Sequence, residues 1–200
     1  MPSLKYKNGD ISYSVIGQGK PIVFIHGIGL DSRMWEPQVK ELSKVHQVIT
    51  YDLRGFGNSS VPVNKYSHVE DLHALLEHLG IDKTKLVGHS FGGEIAIQFT
   101  LKYQNFVNSL VLISSSLSGY SFENKAWQEL KALGKKGDVD LIKKRLLNHE
   151  MFDSLEDKPE VNNRVKSILN DYSCWHFLNR DLREKEGGDS MSQLEQIDIP

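Results

Sequence analysis

Two hundred residues are enough for one domain, or for one core carrying an inserted lid, and 39% hydrophobic with 25% charged residues is ordinary for a globular chain. A net charge of −2 gives no reason to expect nucleic acid or an anionic membrane as a partner. No segment approaches the ~18 apolar residues of a membrane span, the first residues lack the apolar run of a signal peptide, and the single cysteine, Cys174, excludes an internal disulfide, so a cytoplasmic protein is expected.

Along the chain, Leu4 to Gly17 reads as a hairpin, with extended segments flanking the turn signal Asn8-Gly9. Pro21-Ile22-Val23-Phe24-Ile25 is continuously apolar, which suits a strand buried on both faces of a parallel sheet. Met34 to Lys44 predicts a short helix and Gln47 to Tyr51 a strand. Ser67-His68-Val69-Glu70 is a capping box, and Val69, Leu72, Leu75, Leu76 and Leu79 then recur at helical spacing until Gly80. Leu86-Val87 predicts a strand, 91–103 a helix, and Leu110-Val111-Leu112-Ile113 another buried strand. Strands alternating with helices at this spacing imply a mostly parallel α/β sheet.

The texture changes after Ser114-Ser115-Ser116. From 119 to 189 there is no strand-like run, and three amphipathic helical patterns appear. Ala126, Trp127, Leu130 and Leu133 form one, ended by Gly134; Leu141, Ile142, Leu146 and Leu147 form a second; Val161, Val165, Ile168 and Leu169 form a third, entered after Pro159. Residues 1–118 therefore read as core, 119–189 as a helical lid or a solvent-facing appendage, and 190–200 as a return to the core. Trp127 and Trp175 are expected to pack within that helical segment or over a pocket entrance.

The most informative segment is Gly88-His89-Ser90-Phe91-Gly92-Gly93, set between a short apolar stretch and a helical run. Strand, sharp turn and helix with Ser at the apex is the nucleophile-elbow pattern. A serine hydroxyl is a poor nucleophile unless a base reaches it, so it must stand clear of the backbone. Strained angles are expected at Ser90, and glycine at 88 and 92 where strand and helix pass closely. Upstream, His26-Gly27-Ile28-Gly29 follows the first buried strand. It is either a simple strand-to-loop turn or a turn that aims a main-chain N–H at a reaction centre. Asp52-Leu53-Arg54-Gly55-Phe56-Gly57-Asn58-Ser59 suggests a loop pinned by a charge-assisted Asp–Arg pair with a structural role.

These three motifs, in this order, resemble the α/β-hydrolase fold, and most closely its small capped group of lactonases, arylesterases, non-haem haloperoxidases and proline iminopeptidases. The resemblance implies Ser90 as nucleophile, the backbone amides of Ile28 and Phe91 as oxyanion hole, Gly88, His89, Gly92, His26 and Gly27 as supporting residues, and 119–189 as a cap that shapes the pocket. It also implies an acyl-Ser90 mechanism on a small carboxylic ester or lactone, with perhydrolysis, C–C hydrolysis, acyl transfer or a non-catalytic role as alternatives. Haloalkane dehalogenases and epoxide hydrolases are disfavoured, since they need a carboxylate where this chain has Ser90. No cofactor is indicated, and no His/Asp/Glu cluster has metal-ligand spacing.

In this family the triad runs Ser, acid, His. After Ser90 the only histidines are His149 and His176, both in the helical segment. Gln196-Ile197-Asp198-Ile199-Pro200 is similar to the phrase that introduces the next core strand in relatives. The expectation is a chain whose last core strands and helices, triad acid and His are missing, and which is inactive by itself.

Overall fold

The computed structural model describes residues 1–120, 125–179, 182, 184 and 189–200. Six strands, β1 (Ser3–Tyr6), β2 (Gly9–Ile16), β3 (Lys20–Ile25), β4 (His46–Tyr51), β5 (Thr84–His89) and β6 (Val107–Ile113), form one sheet in the order β1-β2-β4-β3-β5-β6. The N-terminal hairpin is antiparallel and joins β4 antiparallel; β4-β3-β5-β6 are all parallel. Val23 at the centre pairs with Ile49 on one side and Leu86 on the other.

The continuous apolar run of β3 is explained by burial on both faces. Ile22 and Phe24 pack with Val48, Val87 and Trp35 toward α1 (Glu36–Leu42). Val23 and Ile25 point the opposite way, into the larger core with α2 (His68–His78) and α3 (Phe91–Lys102). Each fully buried Leu, Ile or Phe in these two layers contributes roughly 1.5–3 kcal/mol.

Three local expectations are corrected. The hairpin turn is Lys7-Asn8 rather than Asn8-Gly9, because Tyr6 pairs with Gly9. Gly9 sits in β2 where a β-carbon would lie 2.5 Å from Arg54 Nη1, so long-range packing sets the register. Only half of the capping box forms: Ser67 Oγ accepts the Glu70 amide at 2.9 Å, but the Glu70 carboxylate turns away to Lys102 and Tyr103, at 2.7 and 2.8 Å. Strand β6 is not buried. It ends the sheet, and Val111, Leu112 and Ile113 are 47%, 43% and 40% exposed. Its apolar run has β5 as neighbouring strand on one side, while on the other the Leu110 amide donates to the carbonyl of Pro200.

The helical segment contains α4 (Lys125–Lys136), α5 (Val139–Leu147), α6 (Pro159–Asp171) and the short α7 (Trp175–Leu178). The expected cap also spans 121–124, 180, 181, 183 and 185–188, which lie outside the described residues. Helix α4 does not stop at Gly134 but runs through it, and a β-carbon there would meet the Phe177 carbonyl oxygen at 2.2 Å. Gly134 is a packing residue that lets α4 lie on α7. Leu130, Leu133, Ile142, Leu146, Ile168, Leu169 and Phe177 are buried and continuous with the main core. Trp127 stacks on Phe177 at 5.9 Å, and Trp175 is buried against Tyr66. No helix among the described residues is long and apolar enough to cross a membrane.

Candidate active site

Ser90 stands at the junction of β5 and α3 with φ 52° and ψ −117°, a left-handed conformation that a side-chain-bearing residue adopts at a cost of about 1–3 kcal/mol. The surroundings enforce it. A β-carbon on Gly88 would lie 2.5 Å from the Gly92 carbonyl oxygen, and one on Gly92 would lie 2.3 Å from that of Ile25. The Ser90 amide donates to Ile113 at 3.0 Å. Its carbonyl accepts three backbone amides, from Gly93, Glu94 and Ser116, at 2.9, 3.3 and 3.1 Å. Four hydrogen-bonded residues, with the two close glycine approaches beside them, thus over-determine the angle, and they leave the hydroxyl out of the network: no described side chain hydrogen-bonds to Ser90 Oγ.

The contribution of Ser116 escapes a reading of the motif alone. The Ser114-Ser115-Ser116 run directly after an apolar strand was the available signal. Ser116 Oγ also lies 3.0 Å from Glu94 Oε2, tying the loop after β6 to the first turn of α3.

The turn after β3 lies against this elbow. The Leu30 amide donates to Gly27 at 3.2 Å, and a β-carbon on Gly27 would sit 2.8 Å from His89 Nδ1 and 3.3 Å from Ser90 Cβ. Ile28 lies within that turn. Phe91 opens α3, at the end of the helix where its dipole is positive. Both predicted oxyanion donors are therefore on segments that touch the Ser90 residue.

His26 and His89 flank the turn from below. His26 Nδ1 donates to the Gly27 carbonyl at 2.8 Å, and Nε2 accepts the Leu53 amide at 2.9 Å. That fixes the neutral Nδ1–H tautomer, and burial holds the imidazole below its ordinary pKa despite nearby Asp52 and Asp31. His89 packs edge-on to Trp35, and burial, reinforced by His26, lowers its pKa too. Neither ring is hydrogen-bonded to Ser90 Oγ.

The expected Asp52–Arg54 pair does not form. Asp52 accepts the Ser32 and Asn58 amides, each at 2.8 Å, and so ties together two loops. Arg54 instead meets Asp71 of α2 at 2.7 Å and donates to the Tyr6 carbonyl. Each group finds a partner far away in sequence, which adjacency could not disclose. The structural role expected for both charges is nonetheless what their contacts describe.

His176 stacks face-on against Phe56 at 3.9 Å and contacts Tyr172 OH through Nδ1 at 3.2 Å. His68 lies 5.5 Å from the Phe91 ring and 6.4 Å from His176. Together with Trp175 and Tyr66 they form an aromatic seam joining helices 125–178 to the core beside Phe91, a grouping of rings from distant segments that no local motif signals. His149 caps the 3-10 turn Glu150–Leu155, its Nδ1 accepting the Met151 amide. His46 contacts the Lys20 carbonyl, while His73 and His78 lie on α2 against Tyr103 and Tyr13. Cys174 is buried with its thiol pushed up to about 11 by burial, as a packing residue is. Among the described residues no group of three His, Cys, Asp or Glu side chains could hold a metal ion.

Comparison with known proteins agrees with this architecture. The profile of the alpha/beta hydrolase fold matches residues 20–159. A soluble epoxide hydrolase of Corynebacterium sp. is 33% identical over 104 residues, 50% of this chain but 36% of that protein. Seven other curated relatives are likewise matched over 22% to 51% of their lengths. Among solved structures, a thermophilic esterase from Thermogutta terrifontis superposes with a TM-score of 0.78 at 25% identity, covering 96% of this chain and 73% of that one. An N-acyl homoserine lactone degrading enzyme superposes with a TM-score of 0.80 at 25% identity, covering 100% of this chain and 79% of that one.

Proposed function

This chain belongs to the α/β-hydrolase fold family, and from that premise we propose that it is a serine hydrolase acting on a small carboxylic ester or lactone through an acyl-Ser90 intermediate. The observation that carries the reading is the strained, over-determined backbone of Ser90 with its hydroxyl outside the hydrogen-bond network. Strain of this kind persists only where the surroundings enforce it, and it clusters at functional sites.

In this reading Ser90 Oγ attacks the carbonyl carbon and gives up its proton to a base. The tetrahedral oxyanion is held by the amides of Ile28 and Phe91, and loss of one such donor typically costs about 3–4 kcal/mol. Collapse expels the alcohol, or opens the lactone, and water then releases the acid and regenerates Ser90. Gly88 and Gly92 permit the elbow, while His26, Gly27 and His89 support the oxyanion turn. Residues 119–189 act as the cap over the site, on the core formed by 1–118 and rejoined at 190–200.

No base is assigned. His26 is committed to Gly27 and Leu53, His89 is packed under the turn, and His149 and His176 are engaged within the helical segment. The second reading is a fold member that keeps the Ser90 elbow without the chemistry. The esterase and lactone-degrading neighbours support a carbonyl substrate, and Ser90 argues against epoxide opening through a carboxylate nucleophile. A cytoplasmic protein needing no cofactor completes the proposal.

The test is a fluorophosphonate label combined with a panel of p-nitrophenyl esters and lactones. Labelling at Ser90 alone, with turnover lost in Ser90→Ala, supports the hydrolase. Absence of both favours the non-catalytic reading.

A further inference from the structure

Three residues beyond the oxyanion turn, Arg33 bridges two carboxylates from different parts of the molecule. Its Nε donates to both oxygens of the buried Asp31, at 2.9 and 3.1 Å, and its Nη2 to Asp31 Oδ2 at 2.7 Å. Its Nη1 donates to Asp171, the last residue of α6, at 2.8 Å. A second pair, Arg164 of α6 with Glu36 at the start of α1, closes at 2.9 Å on the same interface. Between them α6 touches the turn directly: a β-carbon on Gly29 would lie 3.2 Å from Leu169 Cδ2.

The rest of this interface is not filled. A crevice of about 250 Å³ lies between Gly29, Arg33, Asn58, Ile168, Asp171 and Tyr172. Protein interiors leave few voids larger than a water molecule, so continuous packing does not fix α6 here. Two ion pairs, the Leu169 contact with Gly29 and the stacking of Tyr172 on Phe56 do.

We propose that Arg33 is a positioning residue that holds α6 of the cap on the Gly27–Leu30 turn, coupling the seating of the cap to the geometry of the Ile28 amide. The catalytic part of this statement rests on the serine-hydrolase reading; the mechanical part does not. The planar guanidinium suits the task, because its fork reaches both carboxylates at once, which a point-charge ammonium on a single stem does poorly. The Arg33 and Asp171 side chains are 45% and 62% exposed, so salt should weaken the link.

The experiment compares wild type with Arg33→Lys, Arg33→Ala and Asp171→Asn by amide hydrogen exchange, with β3 and β5 as the internal reference for global stability. Asp171→Asn leaves the buried Asp31–Arg33 contact in place and guards against a variant that fails to fold. Exchange at Ile28–Leu30 and in α6 should rise together by about two- to fivefold in Asp171→Asn and Arg33→Ala, with the sheet unchanged. Arg33→Lys should recover only part, and about 0.5 M NaCl should move wild type toward the variants by more than it moves the variants, which keep the Arg164–Glu36 pair. With Ser90-dependent turnover, kcat should fall while KM for a small acetate ester stays. Faster exchange in α6 with no change at Ile28–Leu30, or no change in either, overturns the coupling. A wild type that neither labels nor turns over removes the hydrolase reading, while the exchange data still decide the coupling.

Discussion

Gly92 and Ile25 approach each other so closely that a β-carbon on the glycine would lie 2.3 Å from the Ile25 carbonyl oxygen. The contact joins the first turn of the helix behind Ser90 to the end of the central strand that leads into the Gly27–Leu30 turn. Since the obstacle is backbone, it cannot rotate aside. Gly92→Ala is expected to destabilise by about 3 kcal/mol or more, beyond the usual cost of overpacking. Gly80→Ala is the control, because Gly80 has φ 64° but open space around it, and should cost only about 1–2 kcal/mol. Equal losses in urea denaturation would show that the close approach does not constrain the fold.

Ser90→Gly should raise stability, by about 1 kcal/mol, because glycine adopts φ 52° freely, while Ser90→Ala keeps the strain. Both should lose the fluorophosphonate label. A Ser90→Gly protein that melts below Ser90→Ala would mean that the elbow stores no strain.

Arg54 and Asp71 form a buried ion pair, each side chain 4% exposed. Removing one partner strands a charge, so Arg54→Met or Asp71→Leu alone should cost roughly 3–5 kcal/mol, and the double substitution far less. A double-mutant cycle reads the difference directly; simple additivity would contradict the pairing.

The fold should weaken as solutions turn mildly acidic. His26 is fully buried and neutral with its folded pKa lowered, so below the unfolded value near 6.5 the unfolded chain binds the extra proton. Stability from this residue is complete above that pH and is lost as pH falls, by up to about 1.4 kcal/mol per unit until the folded pKa is reached. His89 acts in the same direction. Urea midpoints at pH 7.5 and 5.5 check this, with His26→Gln flattening the slope because an amide can both donate and accept. An unchanged midpoint in wild type would refute the neutral assignment.

The exposed apolar residues Val111, Leu112 and Ile113 of β6 are expected to make a protein of these 200 residues self-associate through that surface. Leu112→Lys should suppress the association seen by light scattering without lowering the melting temperature. Solutions that stay monomeric at high concentration before the substitution would contradict it.

Much of the architecture is written in local pattern. The continuous run Pro21–Ile25 announces a strand buried on both faces, the spacing of Val69, Leu72, Leu75, Leu76 and Leu79 announces α2, and two glycines around Ser90 announce the elbow, because periodicity and steric permission are properties of neighbouring residues. What pattern cannot carry is the choice among distant partners. Asp52 and Arg54 stand two apart yet bind Ser32, Asn58 and Asp71; Glu70 abandons its capping box for Lys102 and Tyr103; Gly134 serves the Phe177 carbonyl instead of ending a helix. The Ser116 bond to the elbow, the aromatic seam around His176 and the Arg33 bridge belong to the same class. In each case several partners were chemically equivalent in the sequence, and the folded chain brought only some of them within hydrogen-bonding or van der Waals range.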